Sequence, residues 1–219
     1  MCFNKESSLI AFIIPTLISI RLLMFKNDKL KQLFGVFGIS VAIIQLFEFF
    51  IWKYYKIEKI NDFFSRLLII VTTIHPLLFF IFYKCLYNKN IEYEFIILLV
   101  IYFILSVNRI KYYLKNNNNL ITKVGKSGKL LWPDKIKKYD FGVVDDMLYV
   151  LISVILLYKV YKLDNRLLII FKYYFVIFFI TMSYIYYLQS TTFDTFNGLF
   201  NTLWCFSGVS IPLITYFSI

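Results

Sequence analysis

The sequence predicts an all-α, polytopic membrane protein of about seven transmembrane helices in an up-and-down bundle. Three observations carry that expectation. First, 60% of the 219 residues are hydrophobic and only 17% are charged, against roughly 25% charged in an ordinary soluble domain. Second, apolar windows of about 20 residues recur along the chain, and each is long enough to cross a ~30 Å hydrocarbon core. Third, the charged residues gather between those windows rather than inside them. A water-soluble fold of this size has nowhere to bury so much apolar surface, so the bilayer is read as the solvent and the whole chain, 1–219, as one membrane domain.

The first span is placed at about 8–24 and read as a retained helix, since no basic segment or small-residue cleavage site marks a removable signal. Spans follow at about 33–52, 63–83 and 91–113. The interval 114–140 is polar. It holds four consecutive asparagines (116–119), glycine turn signals and the stretch Lys126 to Lys138, in which Leu130, Leu131 and Trp132 are apolar among lysines. That pattern predicts an ordered lid rather than a floppy linker. The last three spans are placed at about 143–161, 167–187 and 196–216. The connections between most spans are short, so consecutive helices are expected to be antiparallel neighbours with the two ends on opposite sides. The N-terminal side is called side A and the other side B.

The chain carries 24 Lys and Arg against 13 Asp and Glu, a net charge of +11. The basic residues are dispersed through the connections, which suits anionic lipid headgroups and not nucleic acid. The short connections on side B hold Arg21, Lys26, Lys29, Lys31, Lys84, Lys89, Lys159, Lys162 and Arg166, whereas side A outside the long interval has only Lys5, Lys53, Lys56, Lys59 and Arg66. By the positive-inside rule this puts side B in the cytoplasm and the N-terminus outside, against the pull of nine more basic residues around the long interval. Cys2, Cys85 and Cys205 have no spacing that suggests a disulfide framework or a metal knuckle. With a single histidine, His75, no metal site and no cofactor are expected, because catalytic zinc takes three protein ligands.

Ionisable residues inside spans are where function concentrates, because each costs several kcal/mol unless paired or wet. In the second span Gln45, Glu48 and Trp52 are spaced three and four apart, on one helical face, with Glu48 about 6 Å deeper than Trp52. In the last span Asn197, Asn201 and Trp204 share a face with Gly208 and Pro212. Arg66 and Asp62 open the third span, and Asp145 with Asp146 open the fifth, where a helix dipole favours them. The up-and-down path brings Glu48, Arg66, Asn197 and Asn201 to the side A half. The candidate ligand-binding set is therefore Gln45, Glu48, Trp52, Arg66, Asn197, Asn201 and Trp204. His75 precedes Pro76 and is expected to make a local hydrogen bond at a helix kink.

At MCFNKESSLIAF, IQLFEFFIWKY, GKLLWP and NTLWCFSG the chain resembles an uncharacterised family, a domain of unknown function, of small multi-helix integral membrane proteins that open with Met-Cys-aromatic-Ser. The resemblance points to Cys2, Gln45, Glu48, Trp52, Trp132, Trp204 and Cys205. Asn4 stands where the family has Ser, and Lys129 where the loop motif often has His. The family implies no activity.

The function expected is a small-ligand binding, transport or sensing bundle with a polar cavity on side A, taking a small polar solute, a cation or a lipid headgroup. The alternatives are an intramembrane enzyme using Glu48 with a cysteine nucleophile, for which no nucleophile and base pair is evident, and a purely structural membrane component. The absence of a lysine between Phe196 and Ile219 sets aside a retinal protein of the usual kind.

Overall fold

The computed structural model describes residues 4–90, 92–115, 120–124, 130–131, 142–176 and 210–217. Seven helical segments lie among them: α1 (Lys5–Leu23), α2 (Lys29–Lys53), α3 (Glu58–Tyr87), α4 (Tyr93–Lys115), α5 (Gly142–Leu163), α6 (166–176) and α7 (210–217). The polar interval contributes a two-stranded antiparallel hairpin, β1 (Lys123–Val124) and β2 (Leu130–Leu131), which pairs Lys123 with Leu131 and Val124 with Leu130.

Local chemistry sets the helix ends. Asn4 caps α1, accepting from the Ser7 backbone N–H at 2.8 Å while the Ser7 hydroxyl accepts from the Asn4 N–H, a reciprocal capping box. The cap starts α1 three residues before the expected position. Asp28 caps α2 through the Lys31 N–H, and Asn88 closes α3 in the left-handed conformation at φ 47°, which asparagine tolerates better than most residues. The helices therefore run past the apolar windows. The largest extension is in α3, whose first turns, from Glu58, are polar.

The clearest mark of the solvent is what each helix hides. The buried residues of α1 are Ser8, Ala11, Pro15, Ser19 and Leu22, mostly small or polar, whereas Ile10, Ile13, Ile14, Leu17 and Ile20 face outward. In α4, Ile96, Ile97, Val100, Ile101, Phe103 and Ile104 are exposed, while Tyr102 and Ser106 are buried together with Phe95, Leu99 and Tyr113. A soluble bundle has the reverse polarity. With lipid outside, helices associate through small residues and polar contacts rather than through oil-drop burial.

The α1–α2 pair follows that logic. Gly35, Gly38 and Ala42 line the buried face of α2. A Cβ added at Gly38 would collide with the Ser19 side chain of α1 and with Pro212 of α7, and one at Gly35 would meet Leu23 and the Ser19 carbonyl at 3.0 Å. Glycine here permits close backbone approach. From this seam α2 packs on α3, α3 on α4 and α5, and α4 on α5. A hydrophobic core runs through Leu33, Phe34, Phe79, Tyr83, Leu99, Ile152, Leu156, Leu167, Ile170, Ile211 and Ile214, joining α2 to α7.

Two sets of contacts fix helix directions among the described residues. Asp28, before α2, meets Arg166 at the start of α6, which puts the α1–α2 and α5–α6 turns together on side B. Pro212 lies against Gly38, and Tyr216 packs its ring against Phe25 at 6.3 Å, so α7 runs toward side B.

Four helices, α1 to α4, are long and apolar enough to cross a membrane among the described residues, which is consistent with a multi-pass membrane protein. The expected count of seven spans is not supported at this level. The sequence of α5 includes Asp145, Asp146, Lys159 and Lys162 in 22 residues, and the expected sixth and seventh spans fall largely outside the described residues.

The close seam yields a direct expectation. Gly38→Leu should lower the thermal stability of detergent-solubilised protein by about 1–3 kcal/mol through overpacking, whereas Leu17→Ala on the lipid-facing side of α1 should leave the melting midpoint nearly unchanged. Equal effects of the two would contradict the packing described.

Candidate functional site: the polar side A half

The site is built on α2 and α3. Gln45 and Glu48 are each only 1% exposed, on the same inward face of α2 as Val41, Ile44 and Ile51. The carboxylate thus points into the bundle and not into lipid. Ile44 and Ile51 form a compact cluster with Leu68 of α3 and Leu130 of the hairpin, and Trp52, Phe47, Phe64 and Val71 pack against it. Leu130 is fully buried. The hairpin therefore sits against the α2 stripe that carries Gln45 and Glu48, on the side expected for a lid.

What holds the hairpin is a set of polar side chains on the first turns of α3. The Asn61 side-chain amide mimics a strand: its Oδ1 accepts from the Thr122 N–H at 3.0 Å and its Nδ2 donates to the Thr122 carbonyl at 3.0 Å. The hydroxyls of Ser65 and Thr122 are hydrogen-bonded at 2.6 Å, and Ser65 donates to Asn61 Oδ1. Asp62 Oδ1 accepts from the Leu120 N–H. All of Asn61, Ser65 and Thr122 are buried, so these bonds are shielded from competition by water. Asn61, Asp62, Ser65 and Arg66 recur at one, three and one residues, which aligns them on one face of α3.

Arg66 belongs to the same constellation. Its Nε and Nη2 donate to the Asp62 carboxylate at 2.7 and 3.1 Å, and Nη1 donates to the Tyr113 carbonyl at 2.7 Å. It thereby satisfies a carbonyl in the last turn of α4 and ties α3, α4 and the following segment together. These contacts give Arg66 a positioning task in addition to any ligand it serves.

A second polar layer lies deeper, between α3, α4 and α5. Pro76 has no N–H for the Thr72 carbonyl, and beside that break the Tyr102 hydroxyl donates to the Thr73 carbonyl at 2.7 Å. His75 Nδ1 is hydrogen-bonded to the Tyr149 hydroxyl at 3.0 Å, and its ring packs edge-on against Phe37. The hydroxyls of Thr73 and Ser106 are buried with no hydrogen-bond partner among the described residues. The expected local bond of His75 is thus an interhelical one. Tyr102, Tyr149, Thr73 and Ser106 were not among the sequence candidates, because tyrosine and hydroxyl residues in an apolar helix carry no signal without their neighbours.

On side B, Arg166 bridges two carboxylates. Its Nη1 and Nη2 donate to Asp28 at 2.8 and 3.0 Å, and Nε and Nη2 donate to Asp164. Burial raises the Asp28 pKa, but the Arg166 hydrogen bonds, the Lys31 N–H and the Arg166 charge outweigh it and hold the carboxyl below its ordinary 3.8. The two aspartates hold the Arg166 guanidinium protonated well above its usual range.

Of the seven sequence candidates, the structure brings Gln45, Glu48 and Trp52 to one interior face and places Arg66 on α3. Asn197, Asn201 and Trp204 lie outside the described residues, as do Cys2, Trp132 and Cys205. Cys85 is exposed on α3. Among the described residues no cluster of His, Cys, Asp and Glu could hold a metal ion. No family model, curated protein or solved structure matches the chain.

Two outcomes follow. Asn61→Leu should release the hairpin, raising amide exchange at 120–124 and costing about 1–3 kcal/mol for the buried backbone groups left unpaired; unchanged protection there would contradict the docking. Because the folded pKa of Asp28 is depressed, its contribution to stability is present above 3.8 and fades as pH falls below that value. Asp28→Asn should flatten the acid limb of the stability profile relative to wild type.

Proposed function

We propose that the chain is a multi-pass bundle of seven spans, of the uncharacterised family its motifs resemble, that binds, transports or senses a small polar solute or cation at a polar site in its side A half. The observation that carries this reading is the complete burial of Gln45 and Glu48 on the inward face of an apolar helix, beside the hairpin pinned to α3. A carboxylate so placed costs several kcal/mol unless it serves a partner or a ligand. In this reading Trp52 and Arg66 border the site, and Asn197, Asn201 and Trp204, which lie outside the described residues, are the further candidates for it.

Helix direction is compatible with an odd number of traverses. α5 begins after the side A hairpin and ends beside Asp164, which meets Arg166 and Asp28 on side B, and α7 runs toward side B. Alternating traverses with the two ends on opposite sides require an odd number. The N-terminus is placed outside by the basic residues of the short connections.

The test uses purified protein in nanodiscs, titrated with sodium, potassium, calcium and a panel of neutral amino acids and sugars, with the unfolding midpoint as readout. A binding site predicts that one probe class raises the midpoint of wild type, and that Glu48→Gln removes this shift while the unliganded protein stays folded. If Glu48→Gln and Glu48→Leu both leave stability and every probe response unchanged, the site is not there. If Glu48→Leu unfolds the protein and no probe shifts wild type, the carboxylate is interhelical glue and the structural reading replaces this one.

A further inference from the structure

The turn between α1 and α2 on side B has a chemistry that the side A site does not use. Phe25 carries two cations against its ring: the Arg21 guanidinium carbon stands 5.6 Å and the Lys31 ammonium 4.4 Å from the ring centroid. Tyr216 packs against the same ring from α7. Lys26, next in sequence, is exposed.

None of these three cations makes an ion pair among the described residues. Arg21 donates only to the Met24 sulfur, at 3.8 Å. The one carboxylate of this turn, Asp28, lies in the field of Lys31, but both of its oxygens accept from Arg166. Unlike the lysines that snorkel singly at helix ends, Arg21 and Lys31 are gathered on one aromatic platform.

The face below them is apolar and open. Leu17 is 64% exposed and Met24 63%, with Ile13 and Ile20 continuing the stripe along α1. On a helix that crosses a bilayer this stripe meets acyl chains, and Arg21, at its end, stands at headgroup level. Cations gathered directly above a hydrocarbon face suit the phosphate and acyl chain of a phospholipid better than a free ion.

We propose that Arg21, Lys26 and Lys31, ordered around Phe25, form a headgroup site for an anionic phospholipid, whose phosphodiester bridges Arg21 and Lys31 while an acyl chain lies along Leu17 and Met24. The inference rests on the bilayer reading of α1 and is separate from the polar site at Glu48. Phe25 keeps both cations in place before the lipid arrives, so ordering their side chains costs less on binding.

The experiment is native mass spectrometry of the full chain, released from nanodiscs of equal phosphatidylglycerol and phosphatidylcholine, with lipid retention as readout. Retention of the alkali-washed chain in membranes is measured first and reports insertion independently. Wild type should keep phosphatidylglycerol in clear preference. Arg21→Gln and Lys31→Gln should each lower that retention roughly fivefold, Phe25→Leu should lower it with both charges intact, and Lys5→Gln on side A should not change it. Millimolar inorganic phosphate should not displace the lipid. Equal retention of both lipids, insensitivity to Arg21→Gln and Lys31→Gln, or full displacement by inorganic phosphate each overturns the proposal. Thermal unfolding of every variant confirms that a loss of lipid is not a loss of fold.

Discussion

The close contact between Ser19 of α1 and Gly38 of α2 is the constraint from which the other placements follow. In lipid, a leucine gains nothing by leaving an acyl chain for another leucine, so helices stay together where their backbones come near enough for dense van der Waals contact. Ser19 and Gly38 provide that nearness, and Pro212 fills the same point from α7. Once α1, α2 and the end of α7 are fixed there, the opposite edge of α2 is committed to α3. That edge carries Ile44 and Ile51, which cluster with Leu68 of α3, and Gln45 and Glu48, seven and ten residues after Gly38, are buried between this edge and the glycine seam.

Polar groups then add direction to the apolar core that joins α2 to α7. The amide of Asn61 and the hydroxyl of Ser65 lock Thr122 in place. Asp62 and Arg66 join α3 to the end of α4, and Tyr102 supports the α3 backbone beside Pro76. On side B, Arg166 holds two turns that are 138 residues apart in sequence. Each of these bonds joins elements that apolar packing alone would leave free to slide, which is why so many of the polar residues of an apolar chain are found between helices.

Much of this was legible in the sequence, for stated reasons. The first five apolar windows fall within about five residues of α1 to α5 because 20 apolar residues have few other uses, and Gln45 and Glu48, three apart, are both buried on α2. Leu130, apolar in a lysine-rich stretch, is buried against α2 and α3, while Trp132 and most of the expected lid lie outside the described residues. The polar first turn of α3 was missed because hydropathy marks where lipid begins, not where a helix begins; Asn61 looks like a loop residue until Thr122 is set beside it. Arg66 was legible as a charge inside a span, paired with Asp62 at i,i+4, but its bond to the Tyr113 carbonyl of α4 depends on a chain crossing that no spacing encodes. Only four of the seven expected spans stand as long, apolar helices among the described residues, because α5 carries four charges and the expected sixth and seventh spans fall largely outside those residues. His75 was expected to bond locally, and only the packing of α5 on α3 supplies Tyr149.

The central claim is that the exterior of this bundle faces hydrocarbon while its small and polar residues face inward. Single spin labels on α1 measure this directly, by comparing collision rates with oxygen, which partitions into lipid, and with a water-soluble nickel chelate. Labels replacing Ile13 and Leu17 should show high oxygen and low nickel accessibility in nanodiscs, and a label replacing Ala11 should be low in both. High nickel accessibility at Ile13 and Leu17 would place α1 in water and contradict the account.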